Sequence, residues 1–221
     1  KDIMAFILIT PAMVLILVFF LFPILSSLRL SFTDWNGIPK ALKFTGLDNY
    51  RYIIKEKSFI TVVFNTLYLA VLFVPVLNAL SIVIAVLIVN VSRKIGNFYK
   101  SILFFPNILS MVVVGFVWKL IYSYNNGLIN VTLRSLKLDF LAFDWLGRKE
   151  TVLPAMSLSI IWFSLGYYLV IYIAGLMAVP TELYEASSID GASPLQKFFR
   201  ITLPMLAPAI TINVVLATLH I

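Results

Sequence analysis

The chain has 221 residues, of which 61% are hydrophobic and 12% charged, with a formal net charge of +7 and a mean hydropathy of +1.00. This composition is too apolar for an ordinary soluble domain and indicates a protein that crosses the membrane several times. The absence of cysteine excludes a disulfide framework and thiolate sites, and the single histidine, His220, leaves no cluster for zinc or general-base chemistry. The positive charge is spread over several loops without a basic stripe, which argues against nucleic acid as a partner.

The first predicted crossing covers residues 3–28, which are apolar apart from one threonine, two serines and two prolines. A bilayer crossing needs about 20 such residues. The segment is too long for the apolar core of a secretory signal, and no small-x-small cleavage site follows it. Because almost no charged residues precede this helix, we expect further sequence on its N-terminal side in the full protein.

A polar segment, residues 29–58, follows the first crossing and carries turn signals at Asn36-Gly37 and Pro39. Asp48 is predicted to be the N-cap of a short helix within this segment. The simplest role for such a helix is to lie at the membrane interface.

The second predicted crossing, residues 59–91, is interrupted by Pro75 and Asn78. A proline inside a membrane helix kinks it and frees a carbonyl that a neighbour must satisfy, so Pro75 marks either a packing kink or a moving hinge. The next segment, 92–100, is short and basic and contains no acid. The positive-inside rule therefore predicts that this loop is cytoplasmic.

The third and fourth predicted crossings are residues 101–122 and 155–179, and both are strongly apolar. Lys119, near the end of the third, is expected to extend its ammonium group to the membrane interface. The loop between them, 123–154, contains the aromatic-rich stretch FDWLG, which suits the membrane surface.

A charged loop, residues 181–204, separates the fourth crossing from a fifth at 205–221. Pro180 stops the preceding helix, and Thr181 is predicted to be the N-cap of a short helix. Nothing in the following residues breaks a helix before Ile189, so the helix is expected to reach that residue.

The second half of this loop predicts a sharp turn and another short helix. Gly191 tolerates a positive φ angle, so the pair Asp190-Gly191 is expected to end the first helix. Ser193 fits the N-cap of the second helix, with Pro194 at its first position and Gln196 able to bond back to the cap. One apolar face is predicted for this helix, formed by Leu195, Phe198, Phe199 and Thr202.

The sequence of this loop, EASSIDGASPLQKFFRITLPMLAPAI, resembles the EAA loop of permeases from ATP-driven, binding-protein-dependent (ABC) importers. The residues that match the family pattern are Glu185, Ala186, Asp190, Gly191, Ala192, Phe198, Ile201, Leu203 and Pro204. Ser187 stands where the family usually has alanine, which is a small-for-small change. Two other stretches, FTGLDNYRYI and FFPNILSMVVVGFVWKLIYSYNNGLIN, resemble the carbohydrate branch of the family, the maltose and glycerol-3-phosphate type.

The resemblance implies an all-α, polytopic fold of the type I importer permease, as a single transmembrane domain with five of six expected crossings in this chain. It implies that the 181–204 loop docks into a groove of a cytoplasmic ATPase. The expected partners are a second, different permease, two ATPase subunits that bind ATP and Mg, and an extracytoplasmic solute-binding protein. The lipid bilayer of a prokaryotic inner or plasma membrane surrounds them, and no cofactor is expected in this chain.

The resemblance also implies which loop residues contact the ATPase: Glu185, Ala186, Asp190, Gly191, Ala192, Leu195, Phe198, Phe199 and Arg200. Glu185 is expected to supply a charged contact and Gly191 the turn. The apolar side chains either contact the ATPase or hold the two short helices together. The chain contains no Gly-x-x-x-x-Gly-Lys-[Ser/Thr] phosphate loop, so we expect ATP hydrolysis to take place in the partner.

Hydroxyl and aromatic side chains on the fourth crossing predict a substrate path. Ser164, Tyr168 and Tyr172 fall near one helical face together with Ser157. Such groups suit a sugar, which is polar at its rim and flat on its faces. The same residue types also pack membrane helices against each other, so both roles stay open.

Other kinds of protein remain as alternatives. A permease for glycerol phosphate, an amino acid or a peptide would carry a similar loop. A passive channel would not need the loop, and an enzyme would need clustered ionisable groups, whereas the five predicted crossings contain only Lys119.

The charge count gives conflicting signals about topology. With the 181–204 loop in the cytoplasm, alternation places 92–100 inside as well, and 29–58 and 123–154 outside. The inside loops hold five Lys or Arg residues, whereas the outside loops hold six and four, ten in all. We give more weight to the loop pattern and to the basic density of 92–100, and predict the first arrangement.

Overall fold

The computed structural model describes residues 2–38 and 42–221, so Pro39, part of the predicted turn, lies outside the described residues. In these two ranges the regular secondary structure is helical, apart from one isolated β-bridge between Thr33 and Phe44. The predicted all-α class is therefore confirmed.

The chain divides into two compact units, Lys1–Phe64 and Asn65–Ile221. The first unit begins with a long apolar helix, composed of α1 (Asp2–Ile16), one wide π turn and α2 (Phe22–Leu30). The stretch Phe6–Leu30 is long and apolar enough to cross a membrane, in agreement with the first predicted crossing.

The polar segment after α2 holds a short helix, α3 (Asp48–Lys55), against the preceding turn. The side-chain amide of Asn49 donates to the carbonyl oxygens of Ser31 and Thr33, both at 2.8 Å. Asp48 is the first residue of the helix and Leu47 takes the N-cap position, so the predicted cap is wrong by one residue. The Asp48 carboxylate still lies at the positive end of the helix dipole, where a negative charge is favourable.

Helix α4 (Lys57–Val89) contains Pro75 and continues through it without a break. It is followed by α5 (Arg93–Ile108) and α6 (Met111–Ile121), which meet at an angle of 99°. The third crossing was predicted as one helix, whereas the structure shows two helices with a sharp bend between them. The cause is local, because Pro106 lacks an amide hydrogen to donate and Leu109 and Ser110 take extended backbone conformations.

A small lobe follows α6 and contains α7 (Leu128–Ser135) and a single 3₁₀ turn. Its centre is the side chain of Asn130, which is fully buried. The amide nitrogen of Asn130 donates to the carbonyl oxygens of Tyr124 and Phe143, at 3.1 and 2.7 Å. Its amide oxygen accepts a hydrogen bond from the indole of Trp145 at 2.8 Å. One side chain thus ties both ends of the lobe together.

Helix α8 (Lys149–Met177) is the centre of the second unit and begins earlier than predicted, because Pro154 lies inside the helix rather than before it. It packs closely against α5 at Gly166, where a Cβ atom would lie 2.3 Å from the carbonyl oxygen of Leu103. Side chains of α4 and α8 form most of two buried apolar clusters in this unit.

The chain ends in four helical pieces: α9 (Thr181–Ile189), α10 (Pro194–Lys197), α11 (Leu203–Met205) and α12 (Ala207–Leu219). A π turn, Phe198–Thr202, joins α10 to α11. The pieces before and after Leu206 meet at 66°. By length and composition, three helices of the described chain can cross a membrane, or up to five crossings if each bent pair is one span. The protein is therefore a multi-pass membrane protein.

Candidate functional site

The loop between α8 and α12, residues 181–204, begins with α9. Pro180 takes the N-cap position, with φ −59° and ψ 131°, and Thr181 is the first helical residue. The predicted Thr181 cap is therefore wrong by one residue. Pro180 fits this place because its fixed φ angle suits the extended residue that precedes a helix.

The turn after α9 is made by Gly191, whose φ angle is +72°. The amide of Ala192 donates to the carbonyl oxygen of Ser187 at 2.9 Å, and the amide of Gly191 donates to that of Ser188 at 3.2 Å. Such bonds satisfy the free carbonyls at a helix end. The predicted turn is confirmed, and it depends on backbone freedom, because a Cβ at Gly191 would meet nothing within 4 Å.

The predicted capping box starts α10. The amide of Gln196 donates to the Ser193 hydroxyl at 3.3 Å, and the amide of Ser193 donates to the Gln196 side-chain oxygen at 2.8 Å. Pro194 occupies the first helical position as predicted. Local chemistry therefore sets where this helix begins.

The single apolar face predicted for the second helix is wrong. Leu195 and Phe199 are 71% and 57% exposed. Phe198 instead packs against the buried cluster of α4, α8 and α12, and Thr202 is buried. The π turn widens the helix at Phe198–Thr202, so these side chains do not share one stripe.

Two contacts that the sequence did not predict join the short helices of the loop. The hydroxyl groups of Tyr184 and Thr202 are hydrogen bonded at 2.9 Å. The Lys197 ammonium group donates to the Ser188 hydroxyl at 2.6 Å. Hydroxyl residues on both halves of a loop are the only signal of such contacts in a sequence.

The residues predicted to contact the ATPase are divided between two faces. Those with exposed side chains or backbone are Glu185, Ala186, Asp190, Gly191, Leu195, Phe199 and Arg200. Ala192 and Phe198 are half-buried. The loop therefore presents both charged and apolar groups outward, while Phe198 attaches it to the chain's own helices.

The three residues of the predicted substrate path, Ser164, Tyr168 and Tyr172, are brought together on one face of α8, and all three are buried. The Tyr172 hydroxyl donates to the side-chain oxygen of Asn78 on α4. The side-chain amide of Asn213 on α12 donates to the Tyr168 carbonyl oxygen at 3.2 Å. Within the part of the chain that the structure describes, the hydroxyl oxygens of Ser164 and Tyr168 have no hydrogen-bond partner. Polar groups therefore join three apolar helices at this place.

A separate cavity of about 340 Å³ lies between α6 and α8, on a different side of α8. Its walls include Trp118, Tyr122, Phe163, Lys119 and Ser159. The rings of Trp118 and Tyr122 lie 5.2 Å apart between centroids. Lys119, which was predicted to reach the membrane interface, lines this cavity. None of the residues of the predicted substrate path lines it.

Across residues 2–38 and 42–221, no group of three His, Cys, Asp or Glu side chains is placed to hold a metal ion.

Comparison with known proteins gives the family. Residues 77–221 match the family model described as binding-protein-dependent transport system inner membrane component. The probable ABC transporter permease protein PH1215 of Pyrococcus horikoshii is 34% identical over 207 residues, which is 93% of this chain and 70% of that protein. The diacetylchitobiose uptake system permease protein NgcF of Streptomyces coelicolor is 34% identical over 203 residues, 87% of this chain and 57% of that protein.

A solved structure of a bacterial alginate ABC transporter, in complex with an alginate pentasaccharide-bound periplasmic protein, matches with a TM-score of 0.84 and 26% identity. The match covers 98% of this chain and 71% of that one. The importer permease fold implied by the loop is therefore confirmed. The chain belongs to the family of binding-protein-dependent transport system inner membrane components, the permeases of ABC importers.

Proposed function

We propose that this chain is a permease subunit of an ATP-driven importer for sugars or oligosaccharides. The observation that carries the proposal is the family match over 77–221, which includes the whole 181–204 loop. The substrate class is supported by relatives, because NgcF is named for diacetylchitobiose uptake and the matching structure is an alginate transporter.

The energy for transport comes from a separate ATPase, since the chain has no phosphate loop of its own. Two such subunits bind ATP and Mg and take hold of the outward face of the 181–204 loop. Glu185 supplies a charged contact there, and the exposed Leu195 and Phe199 supply apolar ones. Buried aromatic and charged contacts dominate the energy of most protein interfaces.

Movement of the ATPases is transmitted inward through Phe198 and Thr202, which lie against the chain's own helices. The attached crossings α8 and α12 then move as rigid elements between inward-open and outward-open states. A second permease completes the path, a solute-binding protein delivers the sugar, and the assembly lies in the inner or plasma membrane.

Two places on α8 are candidates for the substrate path. Ser164, Tyr168 and Tyr172 line it if α4 and α12 separate from α8 during transport, and the unpartnered hydroxyls of Ser164 and Tyr168 would then hydrogen bond to sugar hydroxyls. The cavity at Trp118 and Tyr122 offers ring faces on which a sugar can stack without such a separation.

Uptake kinetics separate these two places. If KM for uptake rises in Tyr168→Phe and is unchanged in Trp118→Ala, the sugar binds at the α8 face that carries Tyr168. If KM rises only in Trp118→Ala, the sugar binds in the cavity at Trp118 and Tyr122. Unchanged uptake in both variants removes both faces from the path.

The importer proposal is tested by purifying the tagged full-length protein with its candidate ATPase, in the wild type and in Gly191→Pro. We expect the wild type to retain a nucleotide-hydrolysing subunit and the variant to lose it while still inserting in the membrane. If neither retains an ATPase, and liposomes containing the folded protein show flux without ATP, the protein is a channel and the proposal is wrong.

A further inference from the structure

A second cavity, of about 410 Å³, lies under the 181–204 loop, at the junction with the ends of α4 and α8. One wall is apolar and includes Val86, Val89 and Phe198. Polar side chains also line the cavity, those of Asn90, Tyr184 and Lys197. The cavity thus combines apolar and polar groups, as a site for an amphiphile does.

The Lys197 ammonium group is the charged element of this site. Its side chain is half-buried, and its hydrogen-bond partner is the neutral Ser188 hydroxyl at 2.6 Å. Ser188 is itself held by donation to the Tyr184 carbonyl oxygen at 2.7 Å. In the described part of the chain, Lys197 makes no ion pair. A fixed cation without a carboxylate partner attracts an anion, most strongly where water is partly excluded.

The position of the cavity identifies the anion. The polar residues lie near the end of α4 at Val89, four positions before the basic pair Arg93 and Lys94. Val86 and Val89 belong to the last turns of that apolar helix, which is long and apolar enough to cross a membrane. A phosphate with attached hydrocarbon fits this mixed lining. With the 181–204 loop in the cytoplasm, as the proposed function requires, the cytoplasmic leaflet supplies such molecules as anionic phospholipids.

We propose that the cavity under the 181–204 loop binds one anionic phospholipid, with its phosphate on Lys197 and an acyl chain along Val86 and Val89. The bound lipid contacts α4 and both short helices of the loop. It therefore holds the loop against the end of a crossing and stiffens the connection between the ATPase and the membrane helices. This inference rests on the proposed docking of the loop to a cytoplasmic ATPase, and it does not depend on which solute the protein imports.

The test is native mass spectrometry of the complete importer in detergent, titrated with phosphatidylglycerol or phosphatidylcholine of the same acyl chains. We expect one phosphatidylglycerol to bind in preference to phosphatidylcholine. Lys197→Gln weakens that binding by about fivefold, the effect of one cation near an anionic surface, and removes the preference. The matched control is Lys94→Gln, a nearby exposed cation that does not line the cavity, which leaves the affinity within about twofold.

A second variant tests the apolar wall. Val89→Trp fills the cavity and displaces the lipid, and retention of the ATPase during purification shows that the loop is still folded. Equal weakening by Lys197→Gln and Lys94→Gln would mean general surface attraction and would overturn the proposal. Displacement of the lipid by millimolar inorganic phosphate or glycerol phosphate would also overturn it, because the ligand would then be a soluble anion.

Discussion

Gly191 makes the turn between the two short helices of the 181–204 loop possible. Its φ angle of +72° is a conformation that costs other residues about 1–2 kcal/mol, although the space around it is open. We expect Gly191→Val to lower uptake and ATPase retention strongly, because the β-branched side chain shifts the turn between the two short helices. Gly191→Asn should keep most of both, since asparagine adopts positive φ more readily.

The two substitutions occupy the same place and differ mainly in the backbone conformation they allow, so each controls for the other. Immunoblots of membranes should show equal amounts of both variants. Full ATPase retention in Gly191→Val would show that the turn is not needed for docking.

At the scale of helices, α8 contacts its neighbours at two glycines with different tolerance. A Cβ at Gly166 would lie 2.3 Å from the Leu103 carbonyl oxygen, so Gly166→Ala must push the α5 backbone away. A Cβ at Gly175 would lie 2.9 Å from a methyl carbon of Leu206, which can rotate, and 3.0 Å from the Cβ of Ala209, so it meets side chains and no backbone atom. We expect Gly166→Ala to destabilise the protein by about 1–3 kcal/mol and Gly175→Ala by less.

Thermal unfolding in detergent, followed by tryptophan fluorescence, measures both glycine variants against the wild type. A lower midpoint for Gly175→Ala than for Gly166→Ala would contradict the packing described for α5 and α8.

The contact between α4 and α8 through Asn78 and Tyr172 gives a second prediction at this scale. Hydrogen bonds between membrane helices contribute about 0.6 kcal/mol on average. We expect a coupling energy of about this size in a double-mutant cycle of Asn78→Leu and Tyr172→Phe, measured by the same unfolding assay. Additive effects of the two substitutions would mean that this bond contributes nothing to stability.

At the scale of the whole molecule, the absence of cysteine from these 221 residues permits a direct test of topology. Lys94 lies in the first turn of α5, at the start of the third crossing, and Lys137 lies in the lobe that follows this crossing. We expect an impermeant maleimide to label Lys137→Cys in intact spheroplasts and Lys94→Cys only after the membrane is opened. The opposite labelling pattern would mean that the membrane topology is the reverse of the predicted one, in agreement with the raw count of basic residues in the loops.

The sequence predicts the parts of this structure that local chemistry controls. The capping box at Ser193 and the turn at Gly191 follow from side-chain donors and backbone freedom within a few residues. The bend at Leu109 was missed because the two helices together are apolar enough for one span, and hydropathy alone does not distinguish one helix from two.

The contact of Tyr172 with Asn78 was missed for another reason, because 94 residues separate the two in the chain. The inward position of Phe198 was missed because the π turn changes the helical spacing on which the prediction of one apolar face depended.

The π turn at Phe198–Thr202 has a consequence for how this importer and its ATPase change during evolution. Leu195 and Phe199 point away from the chain, whereas Phe198 is constrained by the chain's own core. If the outer pair contacts the ATPase as proposed, it can follow substitutions in the ATPase groove while the inner residue stays fixed. Exchanging only residues 195 and 199 for those of another importer should redirect the permease to a foreign ATPase with its fold intact.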